Sequence, residues 1–244
     1  MHSPAAPRRP PDSKVLAALG AASAPQFRAR LERVSLPQGE VIYEAGDRTD
    51  YLYFPETAVF SMLTTMEDGT TIEVGPVGDE GLVGLNVYLG ADVSPTRVIV
   101  HVEGSAVRAP AEALRQELAA GSALPRLLLR YTRMLLAMTG QSVACNKLHS
   151  LRQQFARWLL TMHDYARQDE LRLTHELMAL TLGVRRAGVS EAAHDLREAG
   201  VLDYERGHIR VLDRRGLERA ACECYGVVRE EFDRLYADLP RLAG

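Results

Sequence analysis

Two adjacent arginines, Arg185 and Arg186, stand at the start of a helix-like stretch within TLGVRRAGVSEAAHDLREAGVL, residues 181–202. A guanidinium group presents a planar fork of donors that fits a phosphate or the O6 and N7 acceptors of guanine. Cations are disfavoured at a helix N-terminus because the helix dipole is positive there. An anionic partner therefore explains the pair better than a solvated helix start does.

The surrounding residues have the pattern of a helix-turn-helix, in which one helix braces a second, exposed helix. Such a unit needs a small residue at the helix crossing, a turn residue that tolerates positive φ, and an apolar underside on the second helix. We assign these structural positions to Ala179, Gly183, Val189, Ala192 and Leu196.

With that underside facing inward, the opposite face of the second helix carries the side chains that could read bases. The base-reading candidates are Arg186, Ala187, Ser190, Glu191 and His194. Arginine at this end can fork onto guanine, alanine can touch a thymine methyl, and glutamate can accept from cytosine N4. The candidates for phosphate contacts are Thr174, which also fits a helix cap, together with Arg185, Arg206 and His208. The predicted partner is double-stranded DNA.

The elements that position these residues change character at about Pro110. From Val34 to Ala109 the chain has short β-branched and aromatic runs separated by glycine-bearing turns, which predicts a sandwich or barrel. Asp68-Gly69 is the expected tip of a hairpin. Beyond Pro110 the pattern is helical, apart from a second hairpin in VLDYERGHIRVLD. The C-terminal segment predicts one more helix.

A long helix is predicted after Gly121, with apolar residues spaced alternately by four and three. This seam comprises Leu124, Leu128, Tyr131, Leu135 and Met138, and it continues to Ser142 and Cys145. Leu129, Leu136 and Val143 form a second apolar row. We expect this helix to pack on its own barrel and also on its twin across a two-fold axis, with the seam at the dimer contact, because heptad spacing is typical of helix pairing. A core helix packed only on the barrel is the alternative.

Composition limits the class of protein. The 244 residues have a net charge of −3, which argues against indiscriminate binding to polyanions but leaves room for a local basic site. No apolar run has the length of a membrane span, and the proline-rich N-terminus lacks a signal-peptide core. Three cysteines are typical of a reducing compartment. We therefore expect a cytoplasmic protein that does not associate with membranes.

Taken in order, these motifs resemble the Crp/Fnr family of bacterial transcription regulators. LPQGEVIYEAGD is similar to that family's barrel opening, GDEGLVGL to the turn leading to its effector pocket, and SLRQQFARWLL to the helix after its dimer helix. LTHELMALTLGVRRAGVSEAAHDLREAGVL resembles its helix-turn-helix, and YERGHIRVLDRRGLE its wing.

The resemblance implies an α+β fold with an N-terminal jelly-roll barrel (a double-stranded β-helix), a long dimerisation helix and a C-terminal winged helix-turn-helix. The expected divisions are a disordered tail (1–14), a cyclic-nucleotide-binding-like domain with flanking helices (15–121), the dimer helix (122–147) and the DNA-binding domain with a C-terminal helix (148–244). A homodimer would present two recognition helices to palindromic half-sites about 34 Å apart. RNA polymerase is a further partner implied by the family.

The family also implies an effector pocket, at Gly81, Leu82, Val83, Gly84, Thr96, Arg97 and Ser142. Members that bind cyclic AMP have a glutamate after the first glycine of this turn and an Arg-Ser/Thr pair. Here the turn reads Gly-Leu-Val-Gly, and Thr96-Arg97 has the reverse order. We therefore expect an unidentified effector other than cyclic AMP.

We expect no cofactor and no metal. The tail and barrel lack the cysteines that an iron–sulfur cluster of this family would need, so no cluster is expected. Cys145, Cys222 and Cys224 are interpreted as incidental thiols in preference to redox groups.

Two other functions compete with an effector-controlled regulator. In the first, the regulator has no small-molecule effector and its barrel is a scaffold for dimerisation or protein contacts. In the second, the barrel is a metalloenzyme of the cupin type, which needs several histidine and glutamate ligands. Only one histidine, His101, lies between Val34 and Ala109, so we expect no enzyme.

Overall fold

The computed structural model of the chain describes residues 13–19, 24–119, 122–205 and 207–237. Residues 1–12 of the predicted tail lie outside this part, as does Arg206. The predicted tail extends too far at its other end, because Ser13 is fully buried and a helix begins at Lys14.

Two antiparallel sheets form the N-terminal half, as the barrel prediction requires. One sheet has the strand order β1-β7-β3 and the other has the order β2-β6-β4-β5. These strands are β1 (Glu32–Leu36), β2 (Val41–Tyr43), β3 (Tyr51–Pro55), β4 (Val59–Thr65), β5 (Thr71–Val77), β6 (Arg97–Val102) and β7 (Gly104–Pro110). The non-consecutive neighbours are those of a jelly roll, and apolar side chains such as Phe54 and Phe60 fill its interior.

The hairpin between β4 and β5 has the predicted Asp-Gly tip. Thr65 pairs with Thr71, the Asp68 carboxylate accepts from the Thr70 N–H at 2.9 Å, and Gly69 has φ +83°. Glycine adopts a positive φ without steric cost, so the Asp68-Gly69 sequence fits the observed conformation of this turn.

Helices flank the barrel and build the C-terminal half. They are α1 (Lys14–Ala18), α2 (Pro25–Arg28), α3 (Ala111–Ala119), α4 (Leu124–Leu148), α5 (Leu151–Ala166), α6 (His175–Leu182), α7 (Arg186–Glu198), α8 (Arg214–Ala220) and α9 (Cys224–Ala237). A short 3₁₀ turn spans Leu85–Val87. None of the described helices has the length and apolarity to cross a membrane.

A small antiparallel sheet forms the wing, with the order β8-β10-β9. Its strands are β8 (Glu170–Arg172), β9 (Leu202–Glu205) and β10 (His208–Val211). The sequence indicated the β9–β10 hairpin but not β8. The last segment forms two helices where one was predicted, because Ala221 is extended at ψ 160° and ends α8.

The helix α4 packs on the barrel as expected, but the seam assigned to the dimer contact is the face that does so, and that assignment is therefore wrong. Leu124, Leu128, Tyr131 and Met138 are buried within the barrel-side cluster, and Leu135 packs on it half-buried. Heptad spacing shows that a helix face is covered, but not by which partner. The second row remains open: Leu129, Leu136 and Val143 are 62%, 70% and 67% exposed.

Candidate nucleic-acid interface and interdomain cavity

The helix-turn-helix consists of α6, a three-residue turn and α7. Thr174 caps α6, with its hydroxyl oxygen accepting from the Leu177 N–H at 3.1 Å. Gly183 ends α6 in the left-handed region at φ +63°, and the Val184 N–H then donates to the Ala179 carbonyl at 3.0 Å. This conformation favours glycine because other residues clash there.

The turn also touches the barrel. A Cβ at Gly183 would lie 2.7 Å from Cδ1 of Ile72, on β5. Gly183 is therefore required both by its backbone conformation and by the close approach of the barrel hairpin.

The five structural residues lie where the sequence placed them. Val189 and Leu196 are fully buried, Ala192 is nearly so, and Ala179 is buried at the helix crossing. They pack in one cluster with α5 and the wing strands. The buried row fixes the rotation of α7 about its axis, and the opposite face is left to solvent.

That opposite face carries four of the five base-reading candidates: Arg186, Ala187, Glu191 and His194 are exposed. Ser190 differs. It is half-buried, and its hydroxyl donates to the Arg186 carbonyl at 3.0 Å and lies 3.0 Å from Nδ1 of His175. The Ser190 hydroxyl is thus engaged between α6 and α7, unlike the four exposed candidates.

The candidates for phosphate contacts lie around the N-terminal end of α7. Arg185 is the exposed N-cap residue of α7, and Thr174 is exposed at the start of α6. Neither Arg185 nor Arg186 has an ion-pair partner among the described carboxylates. His208 on β10 is exposed and contacts Glu170 at 3.1 Å, whereas Arg206 lies outside the described residues.

His175 is a connecting residue that the sequence did not single out. Its ring stacks on Tyr204 of β9 with centroids 4.4 Å apart, which ties α6 to the wing. Burial, and then the charge of Arg186, lower the pKa of His175. Both effects favour the neutral form of the stacked ring.

A cavity of about 450 Å³ lies behind this unit, between the barrel and the C-terminal half. It is bounded by β5 and the helices α4, α5, α6 and α9. Its polar lining includes Glu73, Asp79, Glu80, Ser142, Arg157 and Arg167. Burial raises the pKa of Glu80 to about 7, against hydrogen bonds from Tyr165 and the Gly78 N–H.

One wall of the cavity is a buried polar network that joins the barrel to α5. Trp158 Nε1 donates to Glu73 at 3.3 Å, and Ser61 donates to the other oxygen of Glu73. Ser61 Oγ also lies 2.8 Å from Nδ1 of His101. Burial raises the pKa of Glu73 to about 7 and lowers that of His101 to about 4, so both groups favour their neutral forms.

The structure does not bring the predicted effector-pocket residues to this cavity, except for Ser142. Leu82 and Val83 are buried, and a Cβ at Gly81 would lie 2.5 Å from the Tyr131 hydroxyl. That hydroxyl accepts from the Leu82 N–H at 3.1 Å. The turn at Gly81 is thus packed against α4.

The other predicted pocket residues make contacts away from the cavity. Gly84 has φ +95° and lies against the backbone of Tyr51. Arg97 forms an ion pair with Glu44 at 3.4 Å on the barrel surface, next to the half-buried Thr96. The sequence located the pocket by resemblance to one turn, whereas the cavity depends on how the two halves pack.

The three cysteines, for which the sequence predicted no role, lie together. Cys145, Cys222 and Cys224 form a buried cluster with His149 at its edge. The signal available in the sequence was the spacing Cys145-x₃-His149 and Cys222-x-Cys224.

Two family models match the chain in succession. Residues 33–120 match the cyclic nucleotide-binding domain, and residues 153–220 match the Crp-like helix-turn-helix domain. A comparison with curated proteins gives no significant match.

Solved structures share this fold at low sequence identity. FixK2 from Bradyrhizobium japonicum has a TM-score of 0.67 at 17% identity, covering 79% of this chain and 98% of that one. The c-di-GMP-responsive regulator CLP of Xanthomonas campestris gives 0.60 at 17% identity, over 76% and 96%. TTHA1359, a CRP/FNR-family regulator from Thermus thermophilus, gives 0.54 at 21% identity, over 78% and 98%. Since both domain models match in the order in which the structure arranges barrel, long helix and winged helix, the chain belongs to the Crp/Fnr family of transcription regulators.

Proposed function

We propose that this regulator binds a palindromic DNA operator as a homodimer, with α7 as its recognition helix. The observation that carries the proposal is the exposed pair Arg185 and Arg186 at the N-terminal end of α7, on a helix whose other face is fully packed. Recognition helices present this end to the major groove. A rigidly braced helix can hold a guanidinium fork in a fixed register with a base edge.

The two arginines have different proposed roles. Arg186, on the first turn of α7, reads a base, whereas Arg185, at the N-cap, holds a phosphate. Loss of a bidentate base contact costs about 1–3 kcal/mol and relaxes specificity at one position. Loss of a phosphate contact weakens binding to all sequences and lowers the salt dependence by about one charge.

Selection of bound duplexes from a random pool, followed by affinity measurements over a range of salt, tests these roles. Arg186→Ala should flatten one position of the selected operator in each half-site. Arg185→Ala should keep the operator and reduce the salt slope. Arg234→Ala is the control, because Arg234 is an exposed arginine on α9 that pairs with Glu230 and Glu231. If Arg186→Ala selects the same operator with unchanged specificity, the assignment of α7 as the reading helix is wrong.

The proposed homodimer forms through the open row of α4. Leu129, Leu136 and Val143 are seven residues apart, which places them on one stripe. A stripe of exposed branched side chains on a long helix is costly in water and is removed from it when two copies pair. Gly140 lies on the exposed side of the same helix, where a Cβ would meet no atom within 4 Å, so a partner helix can approach closely there.

We further propose that the interdomain cavity holds a small polar effector. Its volume lies within the range of ligand sites, and its walls come from both halves of the chain. A ligand there would contact the barrel and the DNA-binding domain together, and so would favour one arrangement of the two. Arg157 and Arg167 offer donors to an anionic group.

Thermal unfolding with a panel of cyclic mononucleotides, cyclic dinucleotides and acidic metabolites tests the cavity. We expect at least one compound to raise Tm, and Ser142→Phe, which fills the cavity, to abolish that rise. Arg97→Ala, in the barrel pocket implied by the family, should leave the rise in Tm unchanged. Full operator binding without ligand, combined with no rise in Tm from any compound, would instead support the scaffold function.

A further inference from the structure

The cysteine–histidine cluster lies where the long helix meets the C-terminal helix. Cys145 is on the last two turns of α4, and His149 is the residue that ends it. Cys222 lies in the break between α8 and α9, and Cys224 is the first residue of α9. One potential ligand atom from each residue lies within 4.8 Å of all the others. The four residues come from segments more than seventy positions apart, so the packing of α9 on α4 creates the cluster.

The distances within the cluster match a single tetrahedral ion. Sγ of Cys145 and Sγ of Cys222 are 3.5 Å apart, and Sγ of Cys224 is 3.5 Å from Nδ1 of His149. A zinc ion bound about 2.3 Å from sulfur and about 2.0 Å from nitrogen requires separations of roughly 3.8 Å and roughly 3.5 Å. Small movements of the side chains would therefore place all four atoms around one ion.

Groups outside the cluster are arranged to orient its members. The far nitrogen of the His149 ring, Nε2, lies 3.2 Å from the Glu223 carboxylate. Metal-binding histidines have this arrangement, in which a carboxylate accepts the second ring N–H and leaves the other nitrogen free to coordinate. The Gln141 amide donates to Sγ of Cys224 at 3.0 Å, as a hydrogen bond to a thiolate would require.

We propose that four side chains bind one Zn²⁺ ion and thereby fasten the C-terminal helix to the long helix: Cys145, His149, Cys222 and Cys224. Three thiolates and one neutral imidazole form a closed tetrahedral set, which is a structural type of zinc site with no open position. Binding replaces the thiol protons with the metal and releases them to solvent; no oxidation is involved. The site is separate from the proposed DNA contacts, and Cys224 also lines the interdomain cavity.

The three sulfur atoms and one nitrogen atom of the cluster favour some metals over others. Thiolates disfavour Mg²⁺ and Ca²⁺, which take oxygen ligands, and favour zinc. A cluster of two or more irons would hold its ligands on separate metal atoms, further apart than the 4.8 Å within which all four atoms lie. A disulfide between Cys145 and Cys222 is the competing chemistry, because their sulfur atoms are in contact.

The first test uses the unmodified chain, purified under reducing conditions from cells supplied with zinc. Elemental analysis should give one zinc per chain, and blocking the thiols with an organomercurial should release it. Cobalt added to the metal-free chain should give thiolate-to-cobalt charge-transfer bands and the intense visible bands of a tetrahedral site. A chain with no zinc and free thiols, a chain with a Cys145–Cys222 disulfide formed in the presence of zinc, or a chain containing iron and sulfide would each overturn the proposal.

Variants outside the ligand set avoid the risk that a cysteine replacement fails to fold. Glu223→Gln should weaken zinc binding about 10–100-fold, measured by competition with a coloured chelator, because it replaces the charged acceptor that orients His149 with a weaker, neutral amide oxygen. Glu230→Gln is the matched control: Glu230 is a similarly exposed glutamate on α9, paired with Arg234 instead. Equal zinc affinities for the two variants would contradict the proposed orientation of His149 toward the metal by Glu223. Cys222→Ser should lose the cobalt charge-transfer intensity of one thiolate.

Discussion

Replacement of Gly183 by alanine measures how closely the helix-turn-helix approaches the barrel. The left-handed conformation at φ +63° costs an alanine roughly 1–2 kcal/mol. The added Cβ would also lie 2.7 Å from Cδ1 and 3.1 Å from Cγ1 of Ile72, so that side chain must leave its rotamer. Displacing it costs about 0.5–1.5 kcal/mol more. We therefore expect Gly183→Ala to lower the free energy of unfolding by about 1.5–3.5 kcal/mol.

Gly200 provides the matched comparison, since it has nearly the same backbone conformation without the contact. Its φ is +69°, and a Cβ there would meet nothing within 4 Å. Gly200→Ala should therefore show only the backbone cost, roughly 1–2 kcal/mol. In an Ile72→Ala background, the cost of Gly183→Ala should fall to that same value. The Cβ of residue 72, which remains, would lie 3.6 Å from the added Cβ, an ordinary contact distance.

Urea unfolding followed by tryptophan fluorescence suits this double-mutant cycle, since the chain has a single tryptophan. That residue, Trp158, is buried between α5 and the barrel and reports on their separation. Two results together would refute the close approach of the turn to β5. Gly183→Ala and Gly200→Ala would lower the free energy of unfolding equally, and Ile72→Ala would leave the cost of Gly183→Ala unchanged.

Three further predictions follow from buried or exposed groups. Because burial raises the pKa of Glu73 from 4.5 to about 7, its contribution to stability falls as pH rises through that window. As pH rises from 4.5 to 7, the free energy of unfolding of Glu73→Gln should therefore rise by up to about 3 kcal/mol relative to that of the unchanged chain, measured by urea titration at each pH. Tyr131→Phe should cost about 1–3 kcal/mol in the same assay, because it leaves the buried Leu82 N–H without its acceptor. Leu136→Glu should give monomers in analytical ultracentrifugation, whereas Leu89→Glu, at an exposed barrel leucine, should not; a dimeric Leu136→Glu variant would contradict pairing through α4.

The sequence was sufficient wherever local pattern decides the structure. The buried row Val189, Ala192 and Leu196 fixed the outward face of α7, and the glycine at 183 marked its turn. The Asp68-Gly69 tip likewise depends only on neighbouring residues. In these cases the residue type is dictated by backbone conformation or by one-sided burial, both of which are visible over a few positions.

The sequence failed where the answer depends on what covers a surface. Two apolar rows run along α4, and only the packing shows that the row at Leu128 meets the chain's own barrel while the row at Leu136 remains exposed. The interdomain cavity and the cysteine–histidine cluster are formed by segments distant in the chain. Cys145 and Cys222 are 77 positions apart, a separation over which no periodicity is informative.

The DNA-binding half is hydrogen-bonded to the barrel near both of its ends, in addition to the close approach of Gly183 to Ile72. At its beginning, Trp158 of α5 donates to Glu73 of the barrel, and at its end, Tyr236 of α9 donates to the Glu80 carbonyl. A body held at both ends cannot swing about a single pivot. A large reorientation of α7 must break both hydrogen bonds. If only one of them breaks, the other still restrains the half, so the lost bond is not offset by a gain in conformational entropy. A ligand that reorients α7, as proposed above for the interdomain cavity, would therefore have to offset the loss of both hydrogen bonds.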